Sequence, residues 1–437
     1  MSLVKIIPKH LWVAASSWGA RGISACVQIV SVHYLVSLLG EDKYSAFILL
    51  GGLITWCNLS DFGIGNSILN YIAERRAQDK NYEYFILVGS VIVFILFFIV
   101  AVFLCFLSMT VAEQYLKIYS DAIINNKIIL FYISTLIFCG TALAGIIYKI
   151  WYAEQIGWLS NLFPAVCALI GLLNIIVVRK IDGNFCDLLI VFVLFYLPAL
   201  IIPIYLLLKR YRFEIRKTKL NRRLFAGASL KIIERARPFF IFAVMGAIVL
   251  QTDLIVLSQK GDASEIILYG VLLKIFNVIY FIYSAVLQAW WPVCTELRIK
   301  KQWVELKKSI RLSVGLGALA ITTLIFLVYC LQDVVFKLLG LGGIEKGSFI
   351  LYCLFCLYFI IRAWCDTYAV LLQTMNSMKP LFIIVPIQAL INFILQWYFI
   401  SILSLTGILI GSIISFLCTV AIYLPYKFNQ QIKKQTH

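Results

Sequence analysis

The chain has 437 residues, of which 62% are apolar and 14% charged, with a formal net charge of +17 and a mean hydropathy of +0.95. Soluble domains carry roughly 45–50% apolar and about 25% charged residues, so a water-soluble fold is excluded. A soluble catalytic domain is excluded too, because about twelve spans of roughly 22 residues would use most of the length.

Windows of about 19 residues predict spans over 11–39, 47–73, 84–109, 123–150, 157–178 and 185–208. A basic stretch from Lys209 to Arg237 follows, and then spans over 238–258, 266–292, 310–336, 348–374, 380–402 and 405–426. The long apolar runs lack the alternation of barrel strands, and in lipid each segment must satisfy its own backbone amides, so the spans are helices. The expected fold is an all-α integral membrane protein of about twelve transmembrane helices. Residues 1–208 form one six-helix bundle, 209–237 a basic cytoplasmic linker and 238–437 a second bundle. The first span follows Lys5 and Lys9 like a leader, yet it carries Arg21 in its middle and is too long, which predicts an uncleaved span.

With both termini cytoplasmic, 27 of the 38 lysines and arginines fall in inside segments and eight outside. The positive-inside rule therefore sets that orientation. The basic linker is expected to lie on anionic lipid, amphipathic from Leu220 to Ala236, and nucleic acid is not expected as a partner. The cysteines lie in or beside apolar runs, Cys353 and Cys356 included, and read as small buried helix residues. His10, His33 and His437 have no second ligand at metal-binding spacing, so no metal site is expected.

Six charged residues remain inside the predicted spans: Arg21, Asp61, Asp253, Lys274, Arg362 and Asp366. Each is costly against lipid and so faces a cavity, a neighbour or another charge. They can cancel in pairs, Arg21 with Asp61, Asp253 with Lys274, and Arg362 with Asp366 four residues on along one helix face. Pairing and function are both open, since a transporter can break such pairs. The second span also holds Asn58-Leu59-Ser60-Asp61-Phe62-Gly63-Ile64-Gly65-Asn66-Ser67, a polar run that suits a cavity wall, although its glycines equally suit close helix packing. Polar groups recur at Gln251-Thr252-Asp253 and Gln373-Thr374-Met375-Asn376, and Pro164, Pro198, Pro203 and Pro386 interrupt apolar helices.

The run Ser60-Asp61-Phe62-Gly63-Ile64-Gly65-Asn66 resembles the pattern found in Wzx-type O-antigen flippases of the multidrug/oligosaccharidyl-lipid/polysaccharide exporter superfamily. Asp253-Leu254-Ile255-Val256-Leu257-Ser258, the segment Tyr269 to Phe276 that contains Lys274, and Trp291-Pro292-Val293 extend the likeness over the whole chain. The resemblance implies a pseudo-twofold architecture like that of multidrug exporters of the superfamily. It also implies movement of undecaprenyl-diphosphate-linked oligosaccharide from the cytoplasmic to the periplasmic leaflet of a bacterial inner membrane, by alternating access through a cationic central cavity. On that reading Arg21, Lys274 and Arg362 bind the diphosphate or acidic sugars. Asp61, Asp253 and Asp366 pair with those cations or couple transport to H+ or Na+, with no other cofactor. The expected partners are the lipid-linked oligosaccharide, membrane lipids and other polysaccharide assembly proteins. Trp18, Trp56, Trp364 and Tyr368 are candidates for stacking on sugars, while Trp290 and Trp291 suit interface anchoring. The alternatives are a multidrug or cation antiporter of the same superfamily, which the even balance of interior charges disfavours, and a membrane O-antigen polymerase or glycosyltransferase, which the short outer loops disfavour.

Overall fold

A computed structural model describes residues 9–121, 123–181, 187–217, 222–299, 301–341, 346–375, 377 and 379–436. Of the expected features, Lys5, Leu220, Asn376 and His437 lie outside these residues. No strand occurs among them. In chain order the helices are α1 (Lys9–Gly52), α2 (Ile54–Cys57), α3 (Ile64–Ala77), α4 (Glu83–Tyr115), α5 (Lys127–Ala144), α6 (Ile146–Ala153), α7 (Gly157–Ile181) and α8 (Leu188–Lys217). They continue as α9 (Arg222–Lys260), α10 (Ala263–Ile299), α11 (Trp303–Cys330), α12 (Gln332–Leu338), α13 (Phe349–Thr374), α14 (Lys379–Cys418) and α15 (Val420–Thr436).

Nine helical stretches among the described residues are long and apolar enough to cross a bilayer, or ten with residues 225–260. Two of the nine are double length, Gly22–Asp61 with 40 residues and Lys379–Lys433 with 55. At about 1.5 Å per residue the shorter would be about 60 Å long, twice the ~30 Å hydrocarbon core. Both contain a break, at Gly40 (φ 71, ψ 171) and at Ser404 (φ 53, ψ −138). At Ser404 the chain doubles back: a Cβ on Gly407 would lie 2.2 Å from the Phe399 carbonyl oxygen, and one on Gly411 2.8 Å from the Gln396 amide nitrogen. Divided at these breaks, the stretches are consistent with the expected twelve spans. Pro164, Pro198, Pro203 and Pro386 all lie inside helices.

The chain forms two compact units, Met1–Val244 and Met245–His437. In the first, α1 packs on α7, α4 on α5, and α7 on α8. Small residues permit close backbone approach in membrane bundles; here a Cβ on Gly171 of α7 would meet the Phe195 carbonyl oxygen of α8 at 2.2 Å. Ile68, Ile72, Ile86, Ile150 and Ile232 fill the interior, while Phe98, Phe103 and Phe106 of α4 project outward as a lipid-facing surface does.

The basic stretch is largely helical, because α8 runs on to Lys217 and α9 starts at Arg222. Arg210 ties α8 to α6 through Glu154 (2.5 Å) and pairs with the buried Glu214 (2.9 Å). The first half of α9 is amphipathic, and its apolar face (Ala228, Ile232, Ala236) is buried in the protein core with α3 and α6. Ser67 Oγ donates to the Ile232 carbonyl (2.8 Å), and Arg235 donates to Glu74 (2.7 Å) while lying over the Tyr71 ring (4.8 Å). The Arg235 guanidinium holds the Glu74 carboxyl below the usual glutamate range.

In the second unit α13 packs against α10, α11, α14 and α15 around Leu371, Leu372, Phe416 and Phe428. Gly317 of α11 lies against the Tyr283 ring, where an added Cβ would sit 2.3 Å from a ring carbon.

Candidate functional site

In the first unit the site is a break in a helix. The short α2 gives way to a 3-10 turn over Asn58–Asp61, Phe62 (φ 48) and Gly63 (φ 76) take left-handed conformations, and α3 restarts at Ile64. Such a break frees main-chain amides, and Asp61 Oδ1 accepts one of them, from Gly63 N, at 2.8 Å. Gly63 is required twice over, by its φ and by its neighbours, since a Cβ would lie 2.5 Å from the Ala236 carbonyl oxygen and 2.9 Å from Phe239 Cβ. Gly65 serves differently. A Cβ there would lie 3.1 Å from Asp61 Oδ2 and 3.3 Å from Lys149 Cγ, so the acid and the aliphatic stem of a lysine from α6 both border this glycine.

In the second unit the site is a network of side chains on unbroken helical segments. Arg362 Nε and Asp366 Oδ2 lie 3.9 Å apart on α13, one turn from each other as their spacing predicts. The guanidinium covers the Tyr280 ring of α10 at 4.5 Å, and the Tyr280 hydroxyl donates to Asp366. Tyr358 adds a hydroxyl beside the guanidinium. Asp253 of α9 is buried, accepts from the Tyr269 hydroxyl and from Leu254 N (2.9 Å), and lies within electrostatic reach of Arg362. Exposure divides this network, because the Arg362 side chain is 18% exposed and that of Asp366 47%. One end of the cluster is packed and the other is open.

The structure thus brings Arg362, Asp366 and Asp253 together. Arg21 lies in α1 and Lys274, half-buried, in α10. Lys149 lies beside Asp61, and Asp253 accepts from a tyrosine and the main chain, with Arg362 as a nearby cation. Trp364 and Tyr368 are partly buried and pack against the core of the second unit. Their ring centroids lie 4.7 Å apart, Trp364 Nε1 donates to the Ala421 carbonyl (3.0 Å), and Tyr368 packs on Phe428.

Sequence reasoning missed Lys149, counted as a loop cation because it ends an apolar run. It also missed Tyr269, which sits near the end of its span, and Tyr280 and Tyr358, whose signal was their mid-span position, away from the interfacial belts where tyrosine usually gathers. A third omission is the row Gln388, Asn392 and Gln396, each no more than 2% exposed and four residues apart on α14. Gln396 Nε2 donates to Ser412 Oγ (2.7 Å) and Ser415 Oγ to Asn392 Oδ1 (3.2 Å), which fastens the hairpin at Ser404.

No protein-family model matches the chain. It is 39% identical over 425 residues to a protein of Salmonella typhimurium described as a candidate O-antigen transporter, covering 97% of both chains. A protein of Salmonella typhi with the same description is 40% identical over 428 residues, covering 98% of both. A candidate O-antigen export protein of Yersinia pseudotuberculosis is 33% identical over 430 residues, again with 98% of both covered. Among solved structures, an inward-facing multidrug transporter of the MATE family superposes with a TM-score of 0.72 at 11% identity, covering 97% of this chain and all of that one. The lipid II flippase MurJ superposes with a TM-score of 0.70 at 12% identity, covering 96% of this chain and 87% of that one.

Proposed function

We propose, from the premise that this chain belongs to the O-antigen transporter family of the MOP superfamily, that it carries undecaprenyl-diphosphate-linked O-antigen repeat units across the bacterial inner membrane. The chain is a multi-pass membrane transporter and not an enzyme. The cargo moves from the cytoplasmic to the periplasmic leaflet, and both chain termini are cytoplasmic, as the distribution of lysine and arginine favours.

The physical obstacle is the headgroup. Each sugar hydroxyl left without a partner in hydrocarbon costs roughly 2–7 kcal/mol, so an oligosaccharide faces tens of kcal/mol before its diphosphate is considered. A hydrated, cation-lined passage replaces the lost hydration while the polyprenyl tail stays in lipid. Arg362 suits the anionic end, because a guanidinium offers a fork of donors matched to phosphate. Lys274 and Arg21 supply further positive potential. Asp366 holds Arg362 ready and gives it up when the diphosphate arrives, while Asp61 and Asp253 are the acids available to carry a coupling proton or sodium ion.

The observation that carries this reading is the half-exposed Asp366 beside a largely buried arginine inside an apolar bundle. A purely structural pair would be closed on both sides. The test is deletion of the chain in its bacterium. Lipid-linked oligosaccharide should accumulate on the cytoplasmic leaflet and return to normal on complementation, and unchanged distribution between leaflets would reject the assignment.

A further inference from the structure

In the first unit, beside the helix break at Phe62 and Gly63, lies a cleft of about 290 Å³. Its walls are Phe62, Ile92, Leu96, Ile233 and Phe240, and the one charged group on them is Arg237. The cleft has a built geometry. Phe62 is 41% exposed although it is a bulky residue in a left-handed conformation, and its ring meets that of Phe240 at 5.1 Å. Large residues tolerate that conformation poorly, and such strain gathers at functional sites. The close approach of Gly63 to the Ala236 carbonyl and to Phe239 holds the α9 wall in place.

Arg237 is exposed, and among the described residues it has no acidic partner, in contrast to Arg235, which is bound to Glu74. Ile92 and Leu96 lie nine and thirteen residues into the spanning helix α4, while Arg237 directly precedes the predicted span 238–258, so apolar walls meet a cation at the membrane boundary. A basic residue beside apolar walls at that boundary suits an anionic headgroup.

We propose that this cleft holds the polyprenyl diphosphate end of the lipid carrier, with the first isoprene units between Phe62, Ile92 and Phe240 and the diphosphate on Arg237. The proposal rests on the transport function given above and adds where the carrier enters. Charge and size select the occupant. Apolar walls with one guanidinium at the rim complement an amphiphile with an anionic head, and free phosphate would leave the apolar walls unused. The volume is at the small end of ligand pockets, which run from ~300 to ~1,000 Å³. It is large enough for the first isoprene units only, with the rest of the chain left in lipid.

The test uses the full chain in lipid nanodiscs and a diazirine-bearing farnesyl diphosphate probe. Photolabelling should fall on residues 62–64, 92–96 and 233–240 and be competed by undecaprenyl diphosphate. It should drop about tenfold or more in Arg237→Gln, the loss expected when one charge-assisted contact is removed. Ile92→Trp, which fills the cleft and leaves the cation in place, should reduce it similarly. Labelling that survives both substitutions, or that phosphatidylglycerol displaces equally well, overturns the cleft assignment. Transport itself is read separately, by accumulation of lipid-linked oligosaccharide on deletion, so failure of the cleft and failure of the function give different results.

Discussion

The two units hold their interior acids by opposite means. Asp61 is fixed by the main chain, at a helix break whose Gly63 amide caps it, with Lys149 arriving from α6. Asp253 and Asp366 are fixed by phenol hydroxyls and one guanidinium projecting from continuous helical segments. A site built from backbone fails abruptly when the backbone is altered, whereas a site built from side chains loses function by degrees. The first unit therefore suits a fixed anchor, and the second an element whose partners exchange during a transport cycle.

Gly63→Ala should give the largest effect. A left-handed conformation costs a non-glycine residue about 1–2 kcal/mol and overpacking typically ~1–3 kcal/mol more, so folded protein should decrease sharply, as measured by thermal stability in detergent. A wild-type melting temperature would show that the break is not held as described. Gly65→Ala separates the two roles of the motif, because its Cβ meets mobile side-chain atoms at 3.1 and 3.3 Å. Stability should change little while the placement of Asp61 beside Lys149, and transport, suffer.

Arg362→Ala comes next. Charge-assisted hydrogen bonds contribute about 1.5–3 kcal/mol, so surface polysaccharide should fall tenfold or more. Protein abundance should hold, because Asp366 is open enough to be solvated without its partner. Normal polysaccharide would remove the arginine from the site. Tyr280→Phe retains the ring under the guanidinium and deletes only the bond to Asp366; a bond to a carboxylate contributes about 1.5–3 kcal/mol, and water at the half-exposed Asp366 replaces part of it, so a several-fold slower transport rate is expected. An effect as large as that of Arg362→Ala would mean that the hydroxyl itself contacts the cargo.

The smallest effect is one of pH. Glu74 is held below the usual glutamate range by Arg235, so its contribution to stability is present above the unfolded-state value near 4.5 and is lost as pH falls through the lower folded value. The Glu74 side chain is 53% exposed, and exposed pairs contribute no more than about 1 kcal/mol. Arg235→Ala should flatten the acid limb of a stability profile and leave the neutral region almost unchanged. A steeper acid limb would contradict the pairing.

How much of this was legible in the sequence depended on whether a feature is local. The Arg362–Asp366 pair follows from helical spacing alone, and the Ser-Asp-Phe-Gly-Ile-Gly run marks a place where a continuous helix is improbable. The spans follow from hydropathy. What hydropathy does not fix is the depth and rotation of each helix. For that reason Lys149 passed for a loop residue, and Tyr280 for one more ring in an apolar segment. The packing of Trp364 and Tyr368 against α15 was not legible for the same reason, since an aromatic stripe looks alike whether it faces a cavity or a neighbouring helix.

The central claim is that the Asp366 end of the second network stands in water although its helix crosses the membrane, while the Asp253 end is dry. Modification by a water-borne, negatively charged methanethiosulfonate, in an otherwise cysteine-free chain in sealed vesicles, tests it directly. Asp366→Cys should react readily and be protected by lipid-linked oligosaccharide, and Asp253→Cys should stay unmodified. Equal inertness at both positions would contradict a wet passage and leave the interior charges as structural pairs.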